Sequence, residues 1–219
     1  MIVLEPVQAA VWNCLQNFMY SDAVFLAERL HAELTTEESA HTLATCYYKA
    51  GDTLQAYDVL SKCPVSKPAS KYLLARCCWK INRLQEAEAA LVGSQGLKGF
   101  DELVAEFGDM SCFVLAMLGE LYVKSERRNL GVQALRKALS LNPFLFSTFQ
   151  LLCNLGESPN PKEFFRFDST DSTHNLGTSC WQNFAHSKLT LNQSIAVHPH
   201  HQVTHVFPED HSTPAHPVS

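Results

Sequence analysis

Apolar residues recur three and four positions apart along most of the first 155 residues, with polar residues between them. This spacing places the apolar side chains on one face of an α-helix. Turn-forming sequences such as Gly51-Asp52 and Ile81-Asn82-Arg83 interrupt the pattern at intervals. We therefore expect a series of short amphipathic helices joined by tight turns.

The segment from Cys112 to Leu145 carries the clearest repeating unit. Small residues let the two helices of a hairpin approach closely, and a proline ends the second helix because it lacks an N–H group. This order is typical of the tetratricopeptide repeat, a helical hairpin with a period of about 34 residues. Counted from Cys112 as position 1, positions 4, 7, 8, 11, 20, 24, 27 and 32 hold Leu115, Leu118, Gly119, Tyr122, Gly131, Leu135, Ala138 and Pro143.

Two earlier segments follow the same order. The first covers residues 37–70. The second follows it, has no proline at position 32 and is continued by the glycine-bearing sequence GSQGLKGF. The pattern is carried by Leu43, Ala44, Tyr47, Ala56, Leu60 and Pro68 in the first and by Leu74, Ala75, Cys78, Ala87 and Leu91 in the second. Three occurrences of one pattern make the assignment specific.

Residues outside these units are predicted to add helices of the same kind. Pro6 marks a helix start, and Ser21-Asp22 is predicted to cap a second helix. The sequence DELVAEFG, with Asp101 as its N-cap, predicts a short extra helix between two hairpins. Residues 144–155 predict a last helix that ends at Gly156.

These elements predict an all-α fold, a right-handed superhelical solenoid of antiparallel helix pairs followed by a disordered tail. The repeat array would span residues 1–167, with hairpins at about 6–33, 37–66, 69–95 and 112–142 and a last helix at 144–155. Residues 168–219 contain eight of the ten histidines but only one lysine, Lys188, and no arginine. That tail has too little apolar surface to offset its ordering entropy.

In such arrays the first helix of each hairpin lines a concave groove through positions 2, 5, 9, 12 and 13. Here the groove is predicted to present Tyr48, Tyr72, Arg76, Trp79, Phe113 and Val123. Contiguous apolar and aromatic surface is typical of a binding site. The alternative is that the superhelix curls enough to bury these side chains within the chain.

Two kinds of occupant suit this groove. Lys49, Lys80 and Lys124 all fall at position 13, which would suit a linear peptide or an acidic C-terminus bound by a monomeric adaptor. Position 9 lacks a set of amide side chains, and so apolar a groove is better suited to an amphipathic helix. Trp12 stands apart from the apolar stripe of the N-terminal helix and is a candidate for such insertion, or else a core residue.

Composition narrows the function further. The formal net charge of −5 gives no reason to expect a nucleic-acid or membrane partner. No phosphate-binding glycine loop or nucleophile motif is present, so we expect no enzymatic activity and no cofactor. The eight cysteines are interpreted as reduced, small buried residues. The tail sequence HPHHQVTH could bind Zn²⁺ or Ni²⁺ weakly, but no physiological metal site is expected.

The sequence also resembles a known family. EPVQAAVWNCLQNFMYSDAVFLAERLHAE, TLATCYYKAG, KYLLARCC, VAEFGDMSCFVLAMLGELY and LSLNPFLFSTFQLLCNLGE closely resemble the N-terminal domain of the cell-division-cycle-27-type subunit of the anaphase-promoting complex. The resemblance covers about residues 1–167 and includes sequences outside the repeat pattern, such as DAVFLAERL and EFGD.

The resemblance implies a scaffold subunit of a large cell-cycle ubiquitin ligase, found in the nucleus and cytoplasm. In that family the N-terminal array forms a homodimer, and a second, C-terminal array receives co-activator tails. Because this chain stops at Ser219, before a second array, co-activator binding is not expected. The expected partners are a second copy and other subunits of the complex. The implied dimer or partner interface comprises Val7, Val11, Trp12, Leu15, Phe18, Tyr48, Tyr72, Arg76, Trp79, Phe113 and Val123.

Overall fold

The structure is a computed structural model that describes residues 4–93 and 98–164. These residues form α-helices and one short 3₁₀ turn with no strand, which confirms the predicted all-α fold. The predicted disordered tail at 168–219, its histidine cluster and Cys180 lie outside the described residues. The helices are α1 (Leu4–Gln16), α2 (Tyr20–Glu33), α3 (Glu37–Ala50), α4 (Thr53–Ser61), α5 (Pro68–Lys80), α6 (Leu84–Val92), α7 (Phe100–Phe107), α8 (Ser111–Lys124), α9 (Arg128–Leu141), α10 (Phe146–Asn154) and α11 (Pro161–Phe164).

Consecutive helices pack as tetratricopeptide hairpins. The pairs are α1 with α2, α3 with α4, α5 with α6, and α8 with α9, while α10 packs on α9. The first helix of one hairpin also packs on that of another, as α3 does on α5. The first helices α3, α5 and α8 are called the inner helices below. The signature residues that pack each hairpin are buried at Ala44, Ala56, Ala75, Ala87, Gly119, Tyr122, Gly131 and Ala138.

Helices α8 and α9 approach each other closely at Gly119 and Gly131. A Cβ atom at Gly119 would lie 2.5 Å from the Leu135 side chain, and one at Gly131 would lie 2.7 Å from that of Val123. Real Cβ atoms essentially never approach other atoms so closely, so any larger residue would force the Leu135 or Val123 side chain to shift. The prediction that small residues at positions 8 and 20 permit close packing is confirmed for this hairpin.

Each hairpin turn contains one residue in the left-handed backbone region. The four residues are Phe18, Gly51, Asn82 and Glu126, with φ angles of 61°, 98°, 62° and 62°. Glycine adopts this conformation freely, and asparagine does so more readily than most residues. Phe18 and Glu126 therefore carry backbone strain that the turn geometry imposes.

Helix α7 is the predicted insertion between hairpins, and it packs on α5 and α8. Leu103 and Phe107 bury its apolar face in the same cluster as Leu115 and Leu118 of α8. Its polar face is held by Glu106, whose two carboxylate oxygens accept hydrogen bonds of 2.6 Å from Lys71 and Lys98. These two lysines lower the pKa of Glu106.

The structure corrects several local predictions. Pro68 does not end α4, which stops at Ser61; it begins α5, where a missing N–H group costs nothing. Pro143, by contrast, directly follows the C-cap of α9, as predicted.

Two predicted helix starts are also displaced. Helix α2 begins at Tyr20, so Ser21 and Asp22 lie in its first turn and do not cap it. Helix α7 begins at Phe100 with Gly99 as its N-cap, which puts Asp101 inside the helix. Among the cysteines of the described residues, Cys153 is exposed and Cys14 and Cys63 are half-buried, so the prediction of burial is wrong for these three.

Candidate partner-binding groove

The groove predicted from the repeat frame is formed by the inner helices α3, α5 and α8. Its aromatic residues are not fully covered by the chain itself: Tyr48, Tyr72 and Trp79 are half-buried, and Phe113 is exposed. Val123 is half-buried beside them. The alternative, in which the superhelix buries this whole surface within the chain, does not hold for the described residues, and the role of the surface in binding a partner stays a prediction.

A periodic cation–π contact links successive inner helices. The Nζ atom of Lys80 lies 4.0 Å from the ring centroid of Tyr48, and that of Lys124 lies 4.6 Å from the ring centroid of Trp79. In both pairs a lysine at position 13 covers the aromatic residue at position 12 of the preceding hairpin. Such contacts stabilise by about 0.5–1 kcal/mol at exposed sites.

This arrangement bears on the three lysines that could bind a carboxylate. Lys80 and Lys124 hold the faces of aromatic rings, and Lys124 also donates a 3.1 Å hydrogen bond to Asn82. Lys49 is exposed. Two of the three lysines therefore already have intramolecular contacts, and a bound carboxylate would have to share their ammonium groups with the aromatic rings.

Arg76, on the middle inner helix α5, is the polar centre of the groove. Burial opposes the charge of its guanidinium group, but Tyr48, Tyr72 and Glu120 stabilise that charge and raise its pKa overall. No carboxylate of residues 4–93 or 98–164 forms an ion pair with Arg76. Within the described residues the guanidinium group thus interacts with the Tyr48 hydroxyl and the more distant Glu120 charge, and not with a paired carboxylate.

Two neighbours of Arg76 are also incompletely satisfied. The Tyr48 hydroxyl is buried and has no aligned hydrogen-bond partner in the described part of the chain, although the guanidinium lies close to it. Burial raises the pKa of Glu120, an effect that the charge of Arg76 partly offsets. A buried polar atom without a partner is costly, so the nearby Arg76 guanidinium offsets part of the cost of burying the Tyr48 hydroxyl.

Beside this cluster lies a cavity of about 470 Å³. It extends from Trp79 on α5 past α8 to Leu151 on α10, so its apolar walls come from three helices. Its lining comprises Trp79, Glu120, Val123, Lys124, Ser147, Gln150, Leu151 and Asn154. A cavity of this size lies in the range that accommodates a large side chain or a small ligand.

The α10 residues of this cavity were missed by the sequence analysis. Ser147, Gln150 and Asn154 occupy positions 2, 5 and 9 when Phe146 is counted as position 1 of a further repeat. The frame that located the groove on the other inner helices therefore applies to α10 as well. The signal was present in the sequence, but no second helix follows α10 with a recognisable signature.

The N-terminal helix α1 buries the apolar face that carries Val11 and Leu15 and leaves the side that carries Trp12 exposed. Val11 and Leu15 are 0% and 5% exposed and pack against α2 and α3, whereas Trp12 is 39% exposed. The inclusion of Val11 and Leu15 in a partner interface is therefore corrected, because their side chains belong to the core. Trp12 and the half-buried Val7 stay in the predicted interface, as does Phe18, which is 76% exposed in the turn after α1.

Other kinds of site are not seen in the described residues. Within 4–93 and 98–164, no three histidine, cysteine or acidic side chains are grouped so that they could hold a metal ion. In the same ranges, no helix has the length and apolar character needed to cross a membrane.

Comparison with known protein families gives two matches. Residues 16–94 match the model of the anaphase-promoting complex, cyclosome, subunit 3, and residues 114–144 match a tetratricopeptide-repeat model. The chain is 43% identical to the human Cell division cycle protein 27 homolog over 95% of this chain and 24% of that protein. It is 33% identical to the Arabidopsis thaliana Cell division cycle protein 27 homolog A over 70% of this chain and 21% of that protein.

A solved structure described as "Cdc27 N-terminus" has the same fold. It superposes with a TM-score of 0.57 at 18% identity, covering 87% of this chain and 78% of that one. At this identity the likeness concerns the fold alone. The chain spans about a quarter of the length of the curated relatives it matches.

Proposed function

The helical part of this chain belongs to the N-terminal tetratricopeptide-repeat domains of the cell-division-cycle-27 type, and on this basis we propose that the chain is a non-catalytic scaffold subunit of an anaphase-promoting complex. Its role is to assemble with a second copy of itself and with other subunits of that ubiquitin ligase. It acts where the complex acts, in the nucleus and the cytoplasm. The identity to the human relative over nearly the whole chain supports this assignment.

Self-association uses the exposed face of α1 on one copy and the groove of the inner helices on the other. The exposure of Trp12 carries this proposal, because the other large apolar residues of α1, Val11 and Leu15, are buried in the core. Tryptophan is a frequent anchor of protein interfaces. The groove offers complementary apolar walls at Trp79 and Val123.

A two-fold arrangement of this kind would be reciprocal. Each copy contributes one α1 helix and one groove, so two equivalent contacts form in one dimer. Lys80 and Lys124 lie against the rings of Tyr48 and Trp79 in this groove.

Membership of the complex is tested by affinity purification of the tagged full chain expressed at its native level. Co-purification of other anaphase-promoting complex subunits is expected, and their absence under mild salt would overturn the assignment. Self-association is tested by light scattering of the full chain at micromolar concentration. A dimer mass that falls to the monomer mass in Trp12→Ala, but not in Phe25→Ala, supports the use of α1.

Phe25 is a matched control because it is also an exposed aromatic residue of the first hairpin, 55% exposed, but lies on α2. A wild-type chain that stays monomeric throughout contradicts the dimer. It would favour instead the monomeric adaptor that binds a linear peptide or an acidic C-terminus. Charge reversal at exposed Lys49 then distinguishes the two roles, because it should abolish partner binding by an adaptor.

A further inference from the structure

We draw no further inference here: the strongest candidate, the exposed apolar side chains of Phe18, Met19 and Leu54 at the turns of the first two hairpins, carries none, because nothing in the described part of the chain shows what covers them.

Discussion

Lys124 covers the indole ring of Trp79 from the next inner helix, with its Nζ atom 4.6 Å from the ring centroid. The same ring forms one wall of the cavity beside Val123. One face of Trp79 is thus fixed by an intramolecular contact, and the remaining surface is offered to a partner. A side chain held in this way loses little conformational freedom on binding, which suits it to be an interface anchor.

Replacing this anchor should weaken self-association. Trp79→Ala is expected to cost about 1–3 kcal/mol of dimer stability, because it removes the largest apolar wall of the cavity. The dimer dissociation constant of the full chain, measured by sedimentation equilibrium, checks this. Lys124→Met is the control for the cation–π contact alone, and it should change the constant by less than the tryptophan substitution. Equal constants for wild type and Trp79→Ala would place the interface elsewhere.

The glycine pair of the α8–α9 hairpin makes a separate prediction about folding. Gly119→Ala should destabilise the chain by about 1–3 kcal/mol, because the added Cβ overlaps the Leu135 side chain, from which it would lie 2.5 Å away. Urea unfolding followed by circular dichroism measures the loss. Gly99→Ala is the matched control, since a Cβ there meets only Glu102, at 3.9 Å. An unchanged midpoint for Gly119→Ala would show that α8 and α9 can separate at little cost.

The helices and their pairing could be predicted from sequence because the repeat constrains both together. Small residues at positions 8 and 20 identify two helices in close contact, and Gly119 and Gly131 meet as that rule requires. The cation–π contacts of Lys80 and Lys124 could not be predicted in the same way. They depend on the offset between successive hairpins, which the pattern within one repeat does not contain.

The boundaries and the burial of single residues were less predictable for physical reasons. Pro68 looked like a helix end because proline blocks a helix, but proline is equally suited to a first turn. Val11, Trp12 and Leu15 are all apolar residues of one helix, and the sequence grouped them in one interface. The helical spacing set Trp12 apart from the apolar stripe, but the packing of α2 and α3 was needed to show that Val11 and Leu15 face inward and Trp12 outward.

The strained turn at Glu126 predicts a stabilising substitution. Glu126→Gly should increase the free energy of unfolding by about 1 kcal/mol, because glycine adopts its φ angle of 62° without the steric cost of a Cβ atom. Glu126→Ala is the control: it removes the same side chain but keeps the strain, so it should not stabilise. Urea denaturation of wild type, Glu126→Gly and Glu126→Ala in parallel measures the three free energies of unfolding. A gain for alanine as large as that for glycine would assign the effect to the lost carboxylate.

The contact between Glu37 and the start of α5 predicts a pH dependence of stability. Burial tends to raise the pKa of this carboxyl group, but hydrogen bonds from the Ser66 hydroxyl and from the Lys67 and Ser66 N–H groups outweigh it and lower the pKa to about 2. The ionised carboxylate thereby fixes the two residues that precede α5, Ser66 and the N-cap residue Lys67, to α3.

A carboxyl group with a lowered folded-state pKa stabilises the fold above its unfolded pKa, here 4.5 by the ordinary value. That contribution is fully present at neutral pH and is lost as the pH falls from 4.5 through about 2. The difference in unfolding free energy between wild type and Glu37→Gln should therefore be constant from pH 7 to pH 5 and shrink towards pH 2.5. Glu38→Gln, an exposed neighbour on α3, serves as the control and should show no comparable trend. A Glu37→Gln difference that is independent of pH would mean that the carboxylate charge does not hold the two helices together.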